Sequence, residues 1–245
     1  MWDGLREVAV AVDLVERLRG VDPCAVSDAL DSLGLRGAIA GIVPLWPGGR
    51  VSGRVRTVAL RRLGDGEVPP SGSHLGAATI DSAVPGEVIV VANEGRDDSA
   101  AWGGLLSAAA HRAGVAGVVV DGACRDVDEA ADVGFPVFAR SATPVSARGR
   151  TVEEATDVPV TVGDVTVETG DLVVADRSGV VFIPGGSADE VLAAAERIVG
   201  RERSMLGQLA EGATVAAVLD HRYESMLTTG PAGRGDAGGG AGAVD

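Results

Sequence analysis

Lysine is absent from this sequence of 245 residues, because all 21 basic residues are arginine. This absence excludes every mechanism that needs a lysine Schiff base, a lysine general base or a phosphate-loop lysine. Aromatic residues make up only 3% of the chain, so Val, Ala and Leu must build the core. No apolar run approaches the roughly 18 residues of a membrane-spanning helix, and the first residues lack the apolar segment that is typical of a signal peptide. We therefore expect a cytoplasmic protein with no membrane partner.

Cysteine is also scarce, and Cys24 and Cys124 lie far apart without a CxxC pair or a Cys/His cluster. We expect two reduced thiols and no zinc site. The 35 acidic residues outnumber the basic ones and give a net charge of −14. Such a chain is repelled by nucleic acids, so we expect no nucleic-acid partner.

Composition and periodicity divide the chain into four predicted parts. They are an N-terminal helix at 1–22, an α/β domain at 23–209, a C-terminal extension at 210–230 and a disordered tail at 231–245. The tail is rich in Gly and Ala, a composition that cannot bury enough apolar surface to fold.

Apolar spacing and turn residues predict the elements of the central domain. Predicted helices lie at 24–33, 73–82, 100–113, 126–132 and 187–209, and predicted strands at 54–60, 88–91, 117–120 and 137–139. Asp22 and Pro23 suit the start of the first of these helices, and Ser187 with Glu190 predicts a capping box for the last. Strand–helix–strand alternation predicts parallel pairing, whereas Gly-punctuated segments at 158–183 predict hairpins. The predicted fold class is α/β with a mixed sheet.

Two glycines, Gly103 and Gly104, precede the apolar helical run that starts with Leu105 and Leu106. A helix N-terminus offers unpaired N–H groups and a positive dipole end, and glycine lets an anion approach the backbone. The turn is therefore a hypothetical anion site. A tight strand-to-helix turn without a ligand explains the same residues, and the pattern alone leaves both interpretations open.

A charged segment follows the predicted strand at 117–120, at the edge where α/β sheets bind ligands. Asp126 and Glu129 are three residues apart, so one helical turn puts both carboxylates on one face. Two carboxylates with water are suitable oxygen ligands for Mg²⁺ or Mn²⁺, and Arg125 could grip a substrate carboxylate. An acidic helix N-terminus with a surface ion pair explains the segment equally well.

The residues between 84 and 140 resemble one known family. The matching stretches are Pro85-Gly86-Glu87-Val88, Trp102-Gly103-Gly104-Leu105-Leu106, Asp121-Gly122-Ala123-Cys124-Arg125-Asp126 and Gly134-Phe135-Pro136-Val137-Phe138-Ala139-Arg140. They are similar to the aldolases of 4-hydroxy-4-methyl-2-oxoglutarate (HMG) and 4-carboxy-4-hydroxy-2-oxoadipate, and to RraA-like proteins, named after the regulator of ribonuclease activity A. The resemblance implies a β/β/α swivelling-type single domain in homotrimers or homohexamers, with sites between subunits.

The resemblance also implies roles for individual residues. Asp126 would bind the metal directly, Glu129 would hold it through water, and Arg125 would contact the keto oxygen or carboxylate of a pyruvate-like fragment. The turn of Gly103, Gly104, Leu105 and Leu106 would bind that fragment as well, chiefly through backbone N–H groups.

One position departs from the best-known aldolases of the family, which have Asp where this chain has Gly104. The spacing Gly104-X20-Arg125-Asp126-X2-Glu129 indicates that Glu129 takes over from the missing carboxylate. An acidic residue of a neighbouring subunit is also expected at the site, and Glu202 is the candidate.

These expectations predict a class II lyase that uses Mg²⁺, with Mn²⁺ as the alternative. It would cleave a carbon–carbon bond in a carboxylated 2-oxo acid, by retro-aldol reaction or oxaloacetate decarboxylation, through a pyruvate enolate. Regulators of the family typically lack the Asp after Arg, so Arg125-Asp126 favours an enzyme. A non-catalytic protein-binding regulator and a family enzyme recruited to another substrate stay open as alternatives.

Overall fold

A computed structural model of the protein describes residues 14–47, 49–68 and 74–219. The helices are α1 (14–19), α2 (Pro23–Ser32), α3 (Ala77–Ser82), α4 (Gly104–Arg112), α5 (Val127–Asp132), α6 (Ala188–Ala210) and α7 (Val215–Val218), and a 3-10 turn at Gly185–Ser187 precedes α6. The strands are β1 (Ala38–Ile39), β2 (Val43–Pro44), β3 (Val51–Arg62), β4 (Val88–Trp102), β5 (Gly117–Cys124), β6 (Val137–Ala142), β7 (Thr151–Thr156), β8 (Val160–Val162), β9 (Val165–Val167), β10 (Leu172–Asp176) and β11 (Gly179–Ile183). Within these ranges no helix has the length and hydropathy that a membrane crossing requires.

The main sheet has nine strands in the order β1-β11-β10-β3-β4-β5-β6-β2, and β7 pairs with β3 beside this path. The contacts β3–β4, β4–β5 and β5–β6 are parallel, and the other contacts are antiparallel. Strands β8 and β9 form a separate antiparallel hairpin. The mixed sheet and the hairpins expected at 158–183 are therefore confirmed.

Alternating side chains on β4 show how the sheet is covered on both faces. Val88 and Val90 pack in one cluster with the β8–β9 hairpin, whereas Ile89 and Val91 pack in another with α3, α4 and α5. A third cluster joins α1, α2 and α6 to β10 and β11. A buried parallel strand must be apolar on both faces, and the resulting hairpin, sheet and helix layers confirm the expected β/β/α arrangement.

The start of α2 follows the sequence signals closely. The Asp22 carboxylate accepts a hydrogen bond from the Ala25 N–H at 3.0 Å, Pro23 occupies the first turn, and Gly34 follows the helix with φ of 68°. The capping box predicted at Ser187 and Glu190 is wrong. Ser187 closes the 3-10 turn with φ of −111° and ψ of 4°, so its side chain makes no cap and α6 begins at Ala188.

Several predicted element bounds also differ from the structure. The helix predicted at 100–113 begins at Gly104, because Ala100 and Trp102 pair with β5 as the last part of β4. The strand predicted at 117–120 continues through Asp121 to Cys124. Strand β7 was not predicted at all. Residues 1–13, 48, 69–73 and 220–245 lie outside the described residues, and they include most of the predicted N-terminal helix, part of the predicted C-terminal extension and the whole predicted tail.

Candidate active site

A cavity of about 450 Å³ opens where β4 and β5 end. Its wall combines the turn before α4, the segment between β5 and α5, the loop between β6 and β7, and β7 itself. The lining residues are His74, Leu75, Ala100, Ala101, Trp102, Gly103, Leu105, Leu106, Arg125, Asp126, Ser146, Ala147, Arg148, Gly149, Thr151, Val152 and Glu153. The volume lies within the range of small-molecule sites, and the position at strand ends is typical of α/β proteins.

The turn before α4 is fixed by a buried tryptophan. Trp102 is 2% exposed, and its indole Nε1 donates to Ser107 Oγ at 3.0 Å. Ser107 Oγ donates in turn to the Gly103 carbonyl at 3.1 Å. The Trp102 carbonyl accepts from the Arg125 N–H at 3.0 Å, so one residue holds both halves of the predicted site.

The side chain of Asp126, the residue before α5, contacts the backbone at the start of α4. Its backbone is left-handed at φ of 56°, a conformation that Asp and Asn adopt more readily than other non-glycine residues. Its Oδ2 accepts from the Gly104 N–H at 3.1 Å, and both oxygens lie 3.1 Å from Arg125 Nε. Within the described ranges, the N–H groups of Leu105 and Leu106 have no hydrogen-bond acceptor, so they remain available to an anion at the α4 terminus.

Gly104 lies directly under the two predicted metal-binding side chains. A Cβ atom at this position would sit 3.0 Å from the Cβ of Asp126 and 3.0 Å from the Cβ of Glu129. The Cβ atoms of both side chains therefore lie beside the same glycine, although Asp126 precedes α5 in a left-handed conformation and is not part of its first turn. An Asp at position 104 would need this space, which Asp126 and Glu129 occupy in this chain.

Asp126 and Glu129 offer carboxylate oxygens, the ligand type that a divalent cation such as Mg²⁺ prefers. Asp126 is partly exposed, and Glu129 is exposed with no side-chain hydrogen bond to a described residue. Mg²⁺ is commonly held by one or two carboxylates with water and substrate in the other positions. The described part of the chain holds no group of three His, Cys, Asp or Glu side chains suited to a metal. Any further ligand would therefore come from water, the substrate, another subunit or the part of the chain outside the described ranges.

Glu202, the predicted contribution of a neighbouring subunit, lies on α6 beside α2 of its own chain. Its pKa is raised by burial first, and then by the nearby carboxylates of Asp22 and Asp28. Burial and the same acidic neighbourhood raise the pKa of Asp28. Glu202 therefore belongs to a partly buried carboxylate group whose like charges repel one another.

Two charged residues of the cavity wall were missed in the sequence. Arg148 belongs to the loop after β6, and Glu153 belongs to β7, more than 20 residues beyond the Arg125-Asp126 motif. Glu153 Oε2 accepts from the Gly76 N–H at 2.6 Å. In the sequence these two residues belong only to a polar stretch between predicted elements, which does not indicate a site. The pairing of β7 with β3 brings Glu153 to the cavity.

Two histidines and two arginines complete the description of the charged residues near the site. His74 lines the cavity, and His111 lies in the last turn of α4. Arg54 donates to the Gly170 carbonyl at 3.0 Å, and Arg56 binds Asp157. Both arginines thus make contacts within the chain, away from the cavity wall.

Comparison with known proteins places the chain among relatives with enzymatic and regulatory names. A Legionella pneumophila protein, DlpA, is 32% identical over 91% of this chain, which spans only 36% of that protein. A Halalkalibacterium halodurans protein, provisionally named 4-hydroxy-4-methyl-2-oxoglutarate aldolase, is 34% identical over 76% of this chain and 83% of its own length. The solved structure of Streptomyces coelicolor RraAS2, described as an unusual member of the RNase ES inhibitor RraA family, is 30% identical. It matches with a TM-score of 0.71 over 80% of this chain and 98% of that one. The RraA-like model, described as Aldolase/RraA, matches residues 23–182, and the chain therefore belongs to the RraA-like family.

Proposed function

We propose that the chain is a divalent-metal-dependent lyase that cleaves a carbon–carbon bond in a carboxylated 2-oxo acid. The observation that carries this proposal is the convergence of Asp126 and Glu129 over Gly104, beside Arg125 and at the N-terminus of α4. The aldolase names of relatives support the reaction class. Retro-aldol cleavage of HMG and decarboxylation of oxaloacetate are the two reactions that follow.

Asp126 and Glu129 are the residues that would hold the metal, with Mg²⁺ proposed first and Mn²⁺ second. The bound metal would supply Lewis-acid stabilisation of negative charge on the 2-oxo group of the substrate. Asp126 is oriented for this role by Gly104 and Arg125, which fix its carboxylate at 3.1 Å on two sides. A ligand held by two neighbours keeps its geometry without reorganisation.

Arg125 and the start of α4 would bind the pyruvate half of the substrate. Arg125 uses Nε for Asp126, and no acceptor among the described residues binds its terminal nitrogens. These nitrogens can therefore meet a carboxylate or the oxygen on which negative charge develops. The N–H groups of Leu105 and Leu106 offer further donors to the carboxylate.

Gly103 makes room for this arginine. A Cβ atom at 103 would lie 3.1 Å from Arg125 Cγ and 3.0 Å from Asp126 Oδ2. The absence of a side chain therefore lets the aliphatic part of Arg125 pack on the turn while its guanidinium group reaches the cavity.

Metal dependence is tested with a chelator and an isosteric substitution. Asp126→Asn keeps the size, the hydrogen-bond acceptor for Gly104 and a residue type that tolerates a left-handed backbone, but it removes the charge. Asp128→Asn makes the same change on the exposed surface of the same helix and serves as the control. We expect Asp126→Asn to lower pyruvate release from both substrates by about 100-fold or more and to weaken Mg²⁺ binding measured by calorimetry. Activity that survives both EDTA and removal of the Asp126 charge would contradict the mechanism.

A non-catalytic regulator is the second function to test, because the Streptomyces relative is described as belonging to an RNase inhibitor family. A regulator would show no metal-dependent turnover of either substrate and would form a stable complex with a ribonuclease. The same protein preparation distinguishes the two, since substrate turnover and complex formation are measured independently. A family enzyme with another substrate would bind Mg²⁺ through Asp126 but release no pyruvate.

We also propose that the chain forms a homotrimer or homohexamer with the site near a subunit boundary. Four exposed apolar side chains lie on the last part of α6 and in the segment after it, at Leu206, Leu209, Val215 and Leu219. Leu105, at the mouth of the cavity, is 80% exposed. Large exposed apolar side chains of this kind mark association surfaces. Light scattering after size-exclusion chromatography measures the mass, and a monomer would contradict the proposal.

A further inference from the structure

Glu153 is a carboxylate of the cavity wall that the proposed metal chemistry does not use. It lies on β7, which pairs with β3 at Leu60, and its side chain is half-buried. The Gly76 N–H binds Glu153 Oε2 at 2.6 Å, so one oxygen is fixed by the backbone. The orientation of the carboxylate is thereby set, while Oε1 has no partner among the described residues.

The charges around the cavity single out this residue. Asp126 and Glu153 are the two carboxylates of the wall, and Asp126 already contacts Arg125 and is assigned to the proposed metal. Within the described ranges, Glu153 forms no salt bridge with any arginine or histidine. A carboxylate with a free oxygen in a partly closed cavity is a hydrogen-bond acceptor and a proton acceptor for a bound ligand.

The cavity is large enough for a ligand that extends beyond a pyruvate unit. A pyruvate unit has only six non-hydrogen atoms, and such a unit at Arg125 and the start of α4 leaves much of the 450 Å³ empty. His74, Arg148 and Glu153 also line this cavity, and they belong to other segments of the chain than Arg125 and the start of α4. The distal half of a longer 2-oxo acid would therefore lie against these three side chains.

We propose that Glu153 is a catalytic residue that accepts the proton of the C4 hydroxyl group of a 4-hydroxy-2-oxo acid. This inference rests on the lyase function proposed above. As the proton moves to Glu153 Oε1, the O–H electron pair forms the C4 carbonyl, the C3–C4 bond breaks, and its electron pair forms the enolate of pyruvate. The proton then returns from Glu153 through water to C3, which releases pyruvate and regenerates the carboxylate.

Decarboxylation provides an internal reference for this role. Oxaloacetate has a carboxylate at C4 and no hydroxyl group there, so loss of CO₂ requires no proton acceptor at the distal end. Removal of the Glu153 charge should therefore change the ratio of HMG cleavage to oxaloacetate decarboxylation. A merely structural role would lower both rates together and leave the ratio unchanged.

The test compares Glu153→Gln with wild type in the presence of Mg²⁺, with both substrates followed by pyruvate release. Glutamine preserves the size and an acceptor for the Gly76 N–H. Glu154→Gln makes the same change at an exposed position on the other face of β7 and is the matched control. We expect the ratio to fall about 100-fold or more in Glu153→Gln and to stay at the wild-type value in Glu154→Gln.

Each other outcome overturns the inference in a distinguishable way. An unchanged ratio of HMG cleavage to decarboxylation in Glu153→Gln excludes the proton-acceptor role of Glu153. If His74→Asn lowers the ratio while Glu153→Gln leaves it unchanged, the role of Glu153 is excluded as well. A wild-type protein that decarboxylates oxaloacetate but does not cleave HMG refutes the Glu153 role and leaves the metal-dependent lyase standing. A wild-type protein that turns over neither substrate refutes both.

Discussion

Gly104→Ala is the substitution that tests most directly whether the side chains of Asp126 and Glu129 pack against the α4 turn. The added Cβ would lie 3.0 Å from the Cβ atoms of Asp126 and Glu129, closer than ordinary van der Waals contact. Overpacking of this kind costs about 1–3 kcal/mol. Alanine in place of glycine in a helix returns about 0.5–1 kcal/mol. The free energy of unfolding should therefore fall by about 0.5–2 kcal/mol.

A second glycine provides the matched control for this prediction. Gly200 lies within α6, and a Cβ atom there would meet nothing within 4 Å in the chain. Gly200→Ala should therefore raise the free energy of unfolding by about 0.5–1 kcal/mol, the helix-propensity gain alone. The difference between the two variants isolates the contact of Gly104 with the first turn of α5.

Urea denaturation followed by circular dichroism measures both free energies, and calorimetry measures Mg²⁺ binding to the folded variants. We expect about 10-fold weaker binding in Gly104→Ala, since a shift of a few tenths of an ångström disturbs both proposed ligands. The reasoning is refuted if Gly104→Ala stabilises the protein as much as Gly200→Ala and leaves the Mg²⁺ affinity unchanged.

Two further predictions concern groups outside the cavity. The hydrogen bond from Arg56 holds the pKa of Asp157 below its usual 3.8, so this stabilisation is complete above pH 3.8 and is lost at lower pH as Asp157 protonates. Asp157→Asn should therefore cost about 0.5–1 kcal/mol at pH 7, and urea titrations should show the difference vanish in acid; a constant difference would contradict the assignment. Burial raises the pKa of the Cys124 thiol whereas Cys24 is exposed, so a thiol reagent at pH 8 should modify one cysteine per native chain and two in denaturant. Rapid modification of both in the native protein would disprove this.

Local signals predicted those parts of the fold that depend on neighbouring residues. Asp22 and Pro23 specify the start of α2 through a side-chain cap and a preset φ, and both act within one turn. Ser187 carries the same type of signal, yet it is the last residue of a 3-10 turn, and its backbone conformation there does not form the cap. A capping box needs an extended N-cap residue, and the tertiary path of residues 185–187 decides that conformation.

The candidate site shows the same division. The sequence predicted that Asp126 and Glu129 share one side of a helix, because both belong to a single turn. It did not predict that Trp102 lies in a strand, since this depends on pairing with Cys124 on β5. Glu153 was missed for the same reason, because only the pairing of β7 with β3 brings it to the cavity. The proposed ligand roles of these residues stay predictions until metal and substrate binding are measured.

Because β4 pairs unevenly with β5, the position of the turn at Gly103 does not depend on the number of β4 residues that precede it. Between the pairs Ala92–Asp121 and Trp102–Cys124, β4 uses ten residue steps where β5 uses three. The surplus residues bulge outward, and Asp97 and Asp98 are exposed there. Trp102 stays anchored to Cys124 whatever the length of the bulge. Homologues could therefore gain or lose residues at 97–98 without moving the turn at Gly103. Added residues there would form a new surface loop.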